Sequence, residues 1–262
     1  MFIIGELING MYKRVGRAIQ QKDKSVIQRL AQEQVNAGCD ALDLNCGPLS
    51  RNPALDMVWL VQTVQKVTDR ILCLDSAKFN AIEEGLKIAK FKAIINSTSA
   101  DKEKLDTLVP LALKYKTGLI GLTLDKKGVP QDKDRRLELA AMIVSDCQEK
   151  GFPIEELYID PVVLPVNVAQ AQLDNTLKAL GEIKIISSPP PKTVIGLSNV
   201  SQGTRERSLV NRTFLIIGQA FGLDAAILDP LDKQLIDSLI AAELILNKQI
   251  YCDSFLQAHR KK

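Results

Sequence analysis

A single (β/α)8 barrel is the fold this sequence predicts. Eight short apolar runs rich in Leu and β-branched residues alternate with longer amphipathic stretches, and each run stops at a polar residue in nearly the same register. Near-continuous apolarity marks strands buried on both faces, as in a parallel sheet. Eight strand–helix alternations over ~250 residues match the size of such a barrel. No G-x-G-x-x-G or Walker loop follows any run, which leaves a doubly wound open sheet as the weaker alternative.

The expected strands are Phe2–Gly5, Ala41–Leu44, Ile71–Leu74, Ala93–Ile95, Gly118–Leu122, Leu157–Ile159, Thr193–Leu197 and Ala225–Leu228. Between them, Ser25-Val-Ile-Gln28 reads as a capping box opening a helix that runs to Gly38. Asn80-Ala-Ile-Glu83 repeats that signal before a helix ending near Lys90. Helical periodicity then covers Asp101–Tyr115, Lys133–Lys150 ahead of Gly151, Thr204–Phe221 ahead of Gly222, and Asp232–Leu246. The 262 residues carry no linker, low-complexity tract or abrupt charge shift, so one domain over 1–262 is expected.

Composition removes several function classes. The 34 Lys+Arg against 31 Asp+Glu give a net charge of +3, too weak for a nucleic-acid footprint, and 5% aromatics are too few for base-stacking platforms. The one histidine, His259, sits near the C-terminus, which argues against a Ser-His-Asp triad, a Cys-His dyad and His-ligated zinc. Five cysteines with no C-x-x-C pair read as reduced thiols of a cytoplasmic protein, with no metal centre. The start MFIIGELING lacks the pattern of a signal peptide, and no run approaches the ~20 apolar residues of a membrane span.

The polar residues closing the runs are Glu6 and Asn9, Asp43 and Asn45, Asp75, Asn96, Thr123, Asp160, Ser198 and Asn199, and Asp229. In a barrel all would meet at the C-terminal rim, where barrel enzymes place their sites. Asp and Asn also favour turns and helix caps. Asp229, followed by Pro230, is read as a turn residue. Carboxylates and amides without histidine suit a neutral heterocycle with several N–H donors and acceptors, because one carboxylate can take two parallel N–H bonds. The near absence of lysine from this ring of strand-end residues argues against a Schiff-base aldolase.

At these residues the chain resembles the pterin-binding methyltetrahydrofolate:corrinoid protein methyltransferases, a family with members in acetogens and in demethylation pathways. The motifs are Ile3-Ile4-Gly5-Glu6 with Ile8-Asn9-Gly10, Leu42-Asp43-Leu44-Asn45 with Gly47-Pro48, Leu72-Cys73-Leu74-Asp75-Ser76, Ile95-Asn96-Ser97-Thr98, Tyr158-Ile159-Asp160-Pro161 and Gly196-Leu197-Ser198-Asn199-Val200-Ser201-Gln202. The resemblance spans essentially the whole chain. It implies the dihydropteroate synthase-like pterin-binding barrel, tetrahydrofolate or 5-methyltetrahydrofolate as substrate, cobalamin or another corrinoid supplied by a partner protein, and a homodimer. It places Asp75, Asn96 and Asp160 on the pterin edge, Asn199 near N5, and Asp43, Ser198, Gln202 and Arg207 around the folate. Asn199 and Asp160 are the expected catalytic residues, and Asn199 is expected to hydrogen-bond N5 during an in-line displacement between N5 and cobalt.

Arg205 and Arg207 are candidates for the anionic glutamate tail, with a solvated basic loop as the other reading. Met11, Tyr12 and Lys13 are candidates for facing the corrinoid, with an ordinary loop as the alternative. Leu7 and Cys46 depart from the family pattern and are expected near the rim where the corrinoid or its carrier docks. Dihydropteroate synthase chemistry, or pterin binding without catalysis, are the alternatives; the Arg-Pro-Gly loop of the synthases is missing.

Overall fold

A computed structural model describes residues 1–260, with side chains through Gln257. Lys261 and Lys262, and the side chain of His259, lie outside the described residues. Eight parallel strands close in chain order: β1 (Phe2–Asn9), β2 (Ala41–Asn45), β3 (Ile71–Asp75), β4 (Ala93–Ser99), β5 (Gly118–Leu122), β6 (Leu157–Asp160), β7 (Lys192–Gly196) and β8 (Ala225–Leu228), with β8 pairing back to β1. The helices are α1 (Lys13–Gln21), α2 (Lys24–Asn36), α3 (Pro53–Val64), α4 (Phe79–Ile88), α5 (Lys102–Tyr115), α6 (Lys133–Glu149), α7 (Val166–Ile183), α8 (Arg207–Ala220), α9 (Lys233–Ile245) and α10 (Phe255–Arg260).

Every expected strand is present, and several run further into the polar residues: β1 to Asn9, β4 to Ser99, and β2, β3 and β6 by one residue each. A parallel ladder bonds through the backbone, so a polar side chain does not end it provided that side chain finds a partner. Leu197 is the exception, leaving β7 for a single 3-10 turn, Leu197–Asn199.

Two apolar sets hold the barrel. Ile4, Ala41, Cys73, Ile94, Ile120, Tyr158, Val194 and Ala225 fill the interior. Alternate residues such as Leu42, Leu44, Leu72, Leu74, Ile95, Leu119, Ile159 and Ile195 pack outward against the helices. Successive strand residues face opposite sides. Counting in twos from the interior set therefore leads to Glu6, Asp43, Asn45, Asp75, Asn96, Asp160, Gly196 and Asp229.

α5 and α9 open directly after Asp101 and Asp232, and α6 at Lys133, as expected, while three other helix starts differ. Asp23, rather than Ser25, caps α2, accepting from the Ser25 N–H at 3.0 Å and hydroxyl at 2.6 Å. Gln28 is turned away to donate to the Thr63 carbonyl at 3.2 Å, so no capping box forms. Asn80 lies inside α4, which begins at Phe79 without a side-chain cap, while the Ser76 hydroxyl accepts from the Lys78 N–H at 3.1 Å. α8 opens at Arg207 instead of Thr204, whose hydroxyl donates to the Ser201 carbonyl at 2.8 Å. α1, α3, α7 and α10 add to the expected helices; α3 is capped by Asn52, with Pro53 in its first turn.

The loops after β1 and β2 cross where both contribute glycine. A Cβ on Gly47, whose φ is +76°, would fall 2.6 Å from the Gly10 carbonyl carbon. A Cβ on Gly10 would fall 2.2 Å from the Cys46 carbonyl oxygen. The obstruction is backbone, which cannot swing aside as a side-chain tip does. Gly47→Ala is expected to cost ~1–3 kcal/mol of stability, read from denaturant unfolding; an unchanged midpoint would show that the crossing can open.

Candidate active site at the barrel mouth

The carboxyl ends of β2, β3 and β4 place Asn45, Asp75 and Asn96 opposite one another in register. Asn45 Nδ2 donates to Asp75 Oδ2 at 2.6 Å while its Oδ1 accepts from the Gly47 N–H at 2.7 Å, so both ends of that amide are engaged. Asn96 Nδ2 donates to Asp43 Oδ1 at 3.1 Å. That bond orients the Asn96 amide, leaving its Oδ1 as the end free to accept. Asp43 is only 2% exposed and meets the mouth through Asn96, one layer below it.

Asp160 ends β6. Its Oδ1 accepts from the Val162 N–H at 2.7 Å, and it also takes the Gly196 N–H. Val162 sits at φ +61°, a left-handed conformation unusual for a β-branched residue. Arg136, fully buried on α6, holds the same turn from behind by donating from Nε to the Pro161 carbonyl at 2.9 Å. Asn199 closes the 3-10 turn after β7 and lies exposed above Gly196; a Cβ on Gly196 would stand 2.9 Å from Asn199 Nδ2. Ser198 Oγ donates to Glu6 Oε1 at 2.6 Å.

Burial governs the electrostatics. Desolvation raises the Asp160 carboxyl to about 7, against the opposing Val162 and Gly196 N–H bonds and the Arg136 charge. Desolvation likewise raises Glu6 to about 7, opposed by the Ser198 bond, with the charge of Asp229 adding to the rise and that of Arg207 opposing it. Asp43 is raised well above its ordinary value by burial and then by the Asp75 charge, and Asp75 is raised by burial against the Asn45 bond. The thiols of Cys39, Cys46 and Cys147 are pushed up to about 12 by burial, so they are poor nucleophiles.

The mouth thus gathers Asp43, Asp75, Asn96, Asp160, Ser198 and Asn199. Gln202 is exposed just beyond, its N–H bonded to the Asn199 carbonyl at 3.2 Å. Arg207 opens α8 and donates to Ser201 Oγ at 3.2 Å and the Ser198 carbonyl at 3.5 Å, so it is tied to the site loop rather than being a free basic side chain. Arg205 is exposed. Met11 and Tyr12 form an exposed turn and Lys13 begins α1, so this segment leads into a helix. Met11 borders a cleft of about 420 Å³ that reaches Asn45 and Asp75. Cys46 is mostly buried, its thiol toward the Pro53 carbonyl at 3.7 Å, and it lines that same cleft; the Leu7 N–H is taken by Gln34 Oε1 at 3.0 Å.

Sequence reasoning named Glu6 and Asn45 on the rim without assigning them contacts in the site. Counting inward positions in twos would have set both beside the others. Arg136 has no comparable signal, since it is one charged residue within a helix.

Fold and site together define a closed parallel barrel whose mouth is a floor of buried acids and amides. The family model for pterin binding enzymes matches residues 13–229, and the chain belongs to that family. A relative from Eubacterium limosum, named methylcorrinoid:tetrahydrofolate methyltransferase, is 27% identical over 263 residues, covering 100% of this chain and 97% of its own. A methionine synthase from Mycobacterium leprae (strain TN) is 26% identical over 240 residues, covering 87% of this chain but 20% of its own length. Among solved structures, a dihydropteroate synthase from Coxiella burnetii superposes with TM-score 0.71 at 13% identity, covering 95% of this chain and 94% of its own. One from Yersinia pestis gives 0.67 at 18%, covering 94% of each. Those two likenesses establish the barrel, and the expected family resemblance is borne out.

A carboxyl raised by burial favours the folded state most when protonated. Its contribution is complete below its unfolded value near 4 and is lost as pH rises through about 7. Asp160→Asn is therefore expected to be more stable than wild type at pH 8, by ~1–3 kcal/mol, with the gap closing below pH ~5. Thermal unfolding across pH measures it; a gap that widens on acidification would contradict the burial argument.

Proposed function

We propose that this chain is a tetrahydrofolate-dependent methyltransferase that moves a methyl group between N5 of tetrahydrofolate and the cobalt of a corrinoid carried by a partner protein. The carrying observation is the acceptor-lined floor: Asp75, the outward Oδ1 of Asn96, and Asp160, gathered below an exposed Asn199. Oxygen acceptors in a dry recess match a ring edge rich in N–H groups, and donors from that ring offset the cost of ionising the buried acids. The end-to-end alignment with the Eubacterium limosum relative supports the transfer chemistry.

In this reading Asp75, Asn96 and Asp160 hold the pterin edge, while Ser198, Gln202 and Arg207 lie along the folate beyond it. When the methyl departs, its bonding electron pair stays on N5. Asn199 Nδ2 donates to N5, a bond that strengthens as the pair develops, and water delivers the proton. A donor that matters more in the transition state than in the bound substrate raises the rate selectively. The corrinoid supplies the cobalt that accepts or delivers the methyl. Four exposed apolar side chains on the loops or first helical turns after the strands, Met11 (68%), Leu49 (71%), Phe79 (59%) and Val168 (79%), support docking of its carrier over the mouth. The same reading includes a homodimer through the outer helices, which sedimentation would test.

Mixing the protein with tetrahydrofolate and methylcobalamin is expected to demethylate the cobalamin, followed by the cobalt absorbance. Folate binding without that change would leave a pterin-binding protein, and condensation of pterin pyrophosphate with p-aminobenzoate would favour the synthase reading. Asn199→Ala is expected to slow transfer ~100- to 1,000-fold with folate affinity changed only a few-fold; equal losses in both would make Asn199 a binding residue alone. Asp160→Ala is expected to weaken folate ~10- to 100-fold in calorimetric titration, by leaving ring N–H groups unpaired. Because donors from the ring favour ionised Asp160, binding near pH 6.5 should release protons, seen as a binding heat that varies with buffer ionisation enthalpy.

A further inference from the structure

Asn199 has no fixed side-chain partner of its own. Its residue is exposed, and among the described residues no hydrogen bond holds its amide. Its place depends on the turn that carries it. That turn is closed locally by the Val200 N–H to the Leu197 carbonyl at 3.1 Å and by Arg207, which reaches Ser198 and Ser201 from the adjoining helix. The Val166 N–H ties Val200 to the start of α7 at 2.9 Å. Among the described residues, one side-chain bond ties the turn to the barrel wall: Ser198 Oγ to Glu6 Oε1, 2.6 Å long and spanning 192 residues of sequence.

Glu6 and Ser198 do not belong to neighbouring strands. β8 lies between β1 and β7, so the bond crosses the seam where the barrel closes. Glu6 lies in the stretch where β1 slips register against β2, between Gly5 and Ile8, an irregularity of the kind that re-aims side chains near sites. Beside it opens a cleft of about 220 Å³ bordered by Tyr12, Arg207, Asn211 and Asp229.

We propose that Glu6 is a positioning residue for the methyl transfer, acting through Ser198 to hold the Leu197–Asn199 turn so that the Asn199 amide stays aimed at the mouth. The role rests on the methyltransferase reading for its effect on rate, but the clasp itself does not. Glu6 would touch neither folate nor corrinoid. The groups acting on its carboxyl are Ser198 as donor, Arg207 as a favourable charge, and Asp229 as an unfavourable one; Tyr12 and Asp43 are in turn raised by its charge. Burial lifts the Glu6 carboxyl to about 7, so near neutrality the clasp passes from a carboxylic acid below that value to a carboxylate acceptor above it.

The test compares Glu6→Ala, Glu6→Gln and Ser198→Ala in the full chain. For the two alanine variants, the turnover number for methylcobalamin demethylation by tetrahydrofolate should fall ~10- to 100-fold, the size of effect a misplaced group produces. In Glu6→Ala, folate affinity by calorimetry should change less than ~3-fold. Glu6→Gln keeps an oxygen acceptor for Ser198 and should recover most of the rate; at saturating folate, where ring donors hold Asp160 ionised, its turnover should also lose an inflection near pH 7. A second readout needs no activity: with asparagine labelled at its side-chain nitrogen, the Asn199 amide signal, assigned by its loss in Asn199→Asp, should shift or broaden in Glu6→Ala and Ser198→Ala. An unmoved Asn199 signal, or turnover within twofold of wild type in both alanine variants, would overturn the clasp. In Glu6→Ala, a loss of folate affinity matching the loss of rate would make Glu6 a ligand instead. If Glu6→Ala does not fold, Ser198→Ala, which removes one hydroxyl, carries the test. Wild-type protein that moves no methyl would end the methyltransferase reading, while the amide signal would still decide the clasp.

Discussion

The cost of taking carboxyl groups out of water shapes this barrel mouth. The strand period of two carries Glu6, Asp43, Asp75 and Asp160 inward on the same parity as the apolar interior, and all four carboxyls are raised by burial. An unpaired charge in such a place is expensive, so each acid is engaged: Asp75 by Asn45, Asp43 by Asn96, Asp160 by two backbone N–H groups, and Glu6 by Ser198. Those partners offset part of the cost and, at Asp75 and Asp160, leave the rest for a ligand to relieve. Asn96 gives its NH2 inward to Asp43, so its free oxygen joins Asp75 and Asp160 in an acceptor surface, while Asn45 has both ends engaged.

Holding that floor costs stability elsewhere. Val162 occupies a conformation that β-branched residues avoid, and its N–H is part of what secures Asp160. Behind it Arg136 is buried with no carboxylate among the described residues in hydrogen-bonding contact, fixed instead by the Pro161 and Asp132 carbonyls at 2.9 and 3.2 Å. A buried guanidinium bonded only to carbonyls does little for stability, yet it defines where the chain turns after β6. Gly196 then serves two neighbours, giving its N–H to Asp160 and leaving the space that the Asn199 amide occupies.

The mouth divides into two zones of different chemistry. Its depth is polar, narrow and lined by groups whose orientation is set by their own hydrogen bonds. Its rim carries exposed Met, Leu, Phe and Val side chains on the loops or first helical turns after β1, β2, β3 and β6. A small planar ring suits the depth, and a partner with apolar surface suits the rim. Asn199 lies between them, exposed at the top of the floor, where the proposed transfer would occur.

Much of this was legible in the chain itself. The eight strands, the single barrel and the rim positions Asp75, Asn96 and Asp160 all follow from short apolar runs, each closed by a polar residue, alternating with amphipathic helical stretches. Local capping was less decisive. Asp23 and Ser25 both suit an N-cap, and the choice fell to Asp23 because Gln28 found a partner 35 residues away on α3. What only the tertiary structure decided is which polar groups meet: Asp43 beneath Asn96 rather than at the surface, Arg136 behind Asp160, Cys46 turned inward, and Glu6 joined to Ser198 across the closing seam. Periodicity is a property of neighbours along the chain, whereas these pairings depend on barrel stagger and closure, which bring together residues far apart in sequence.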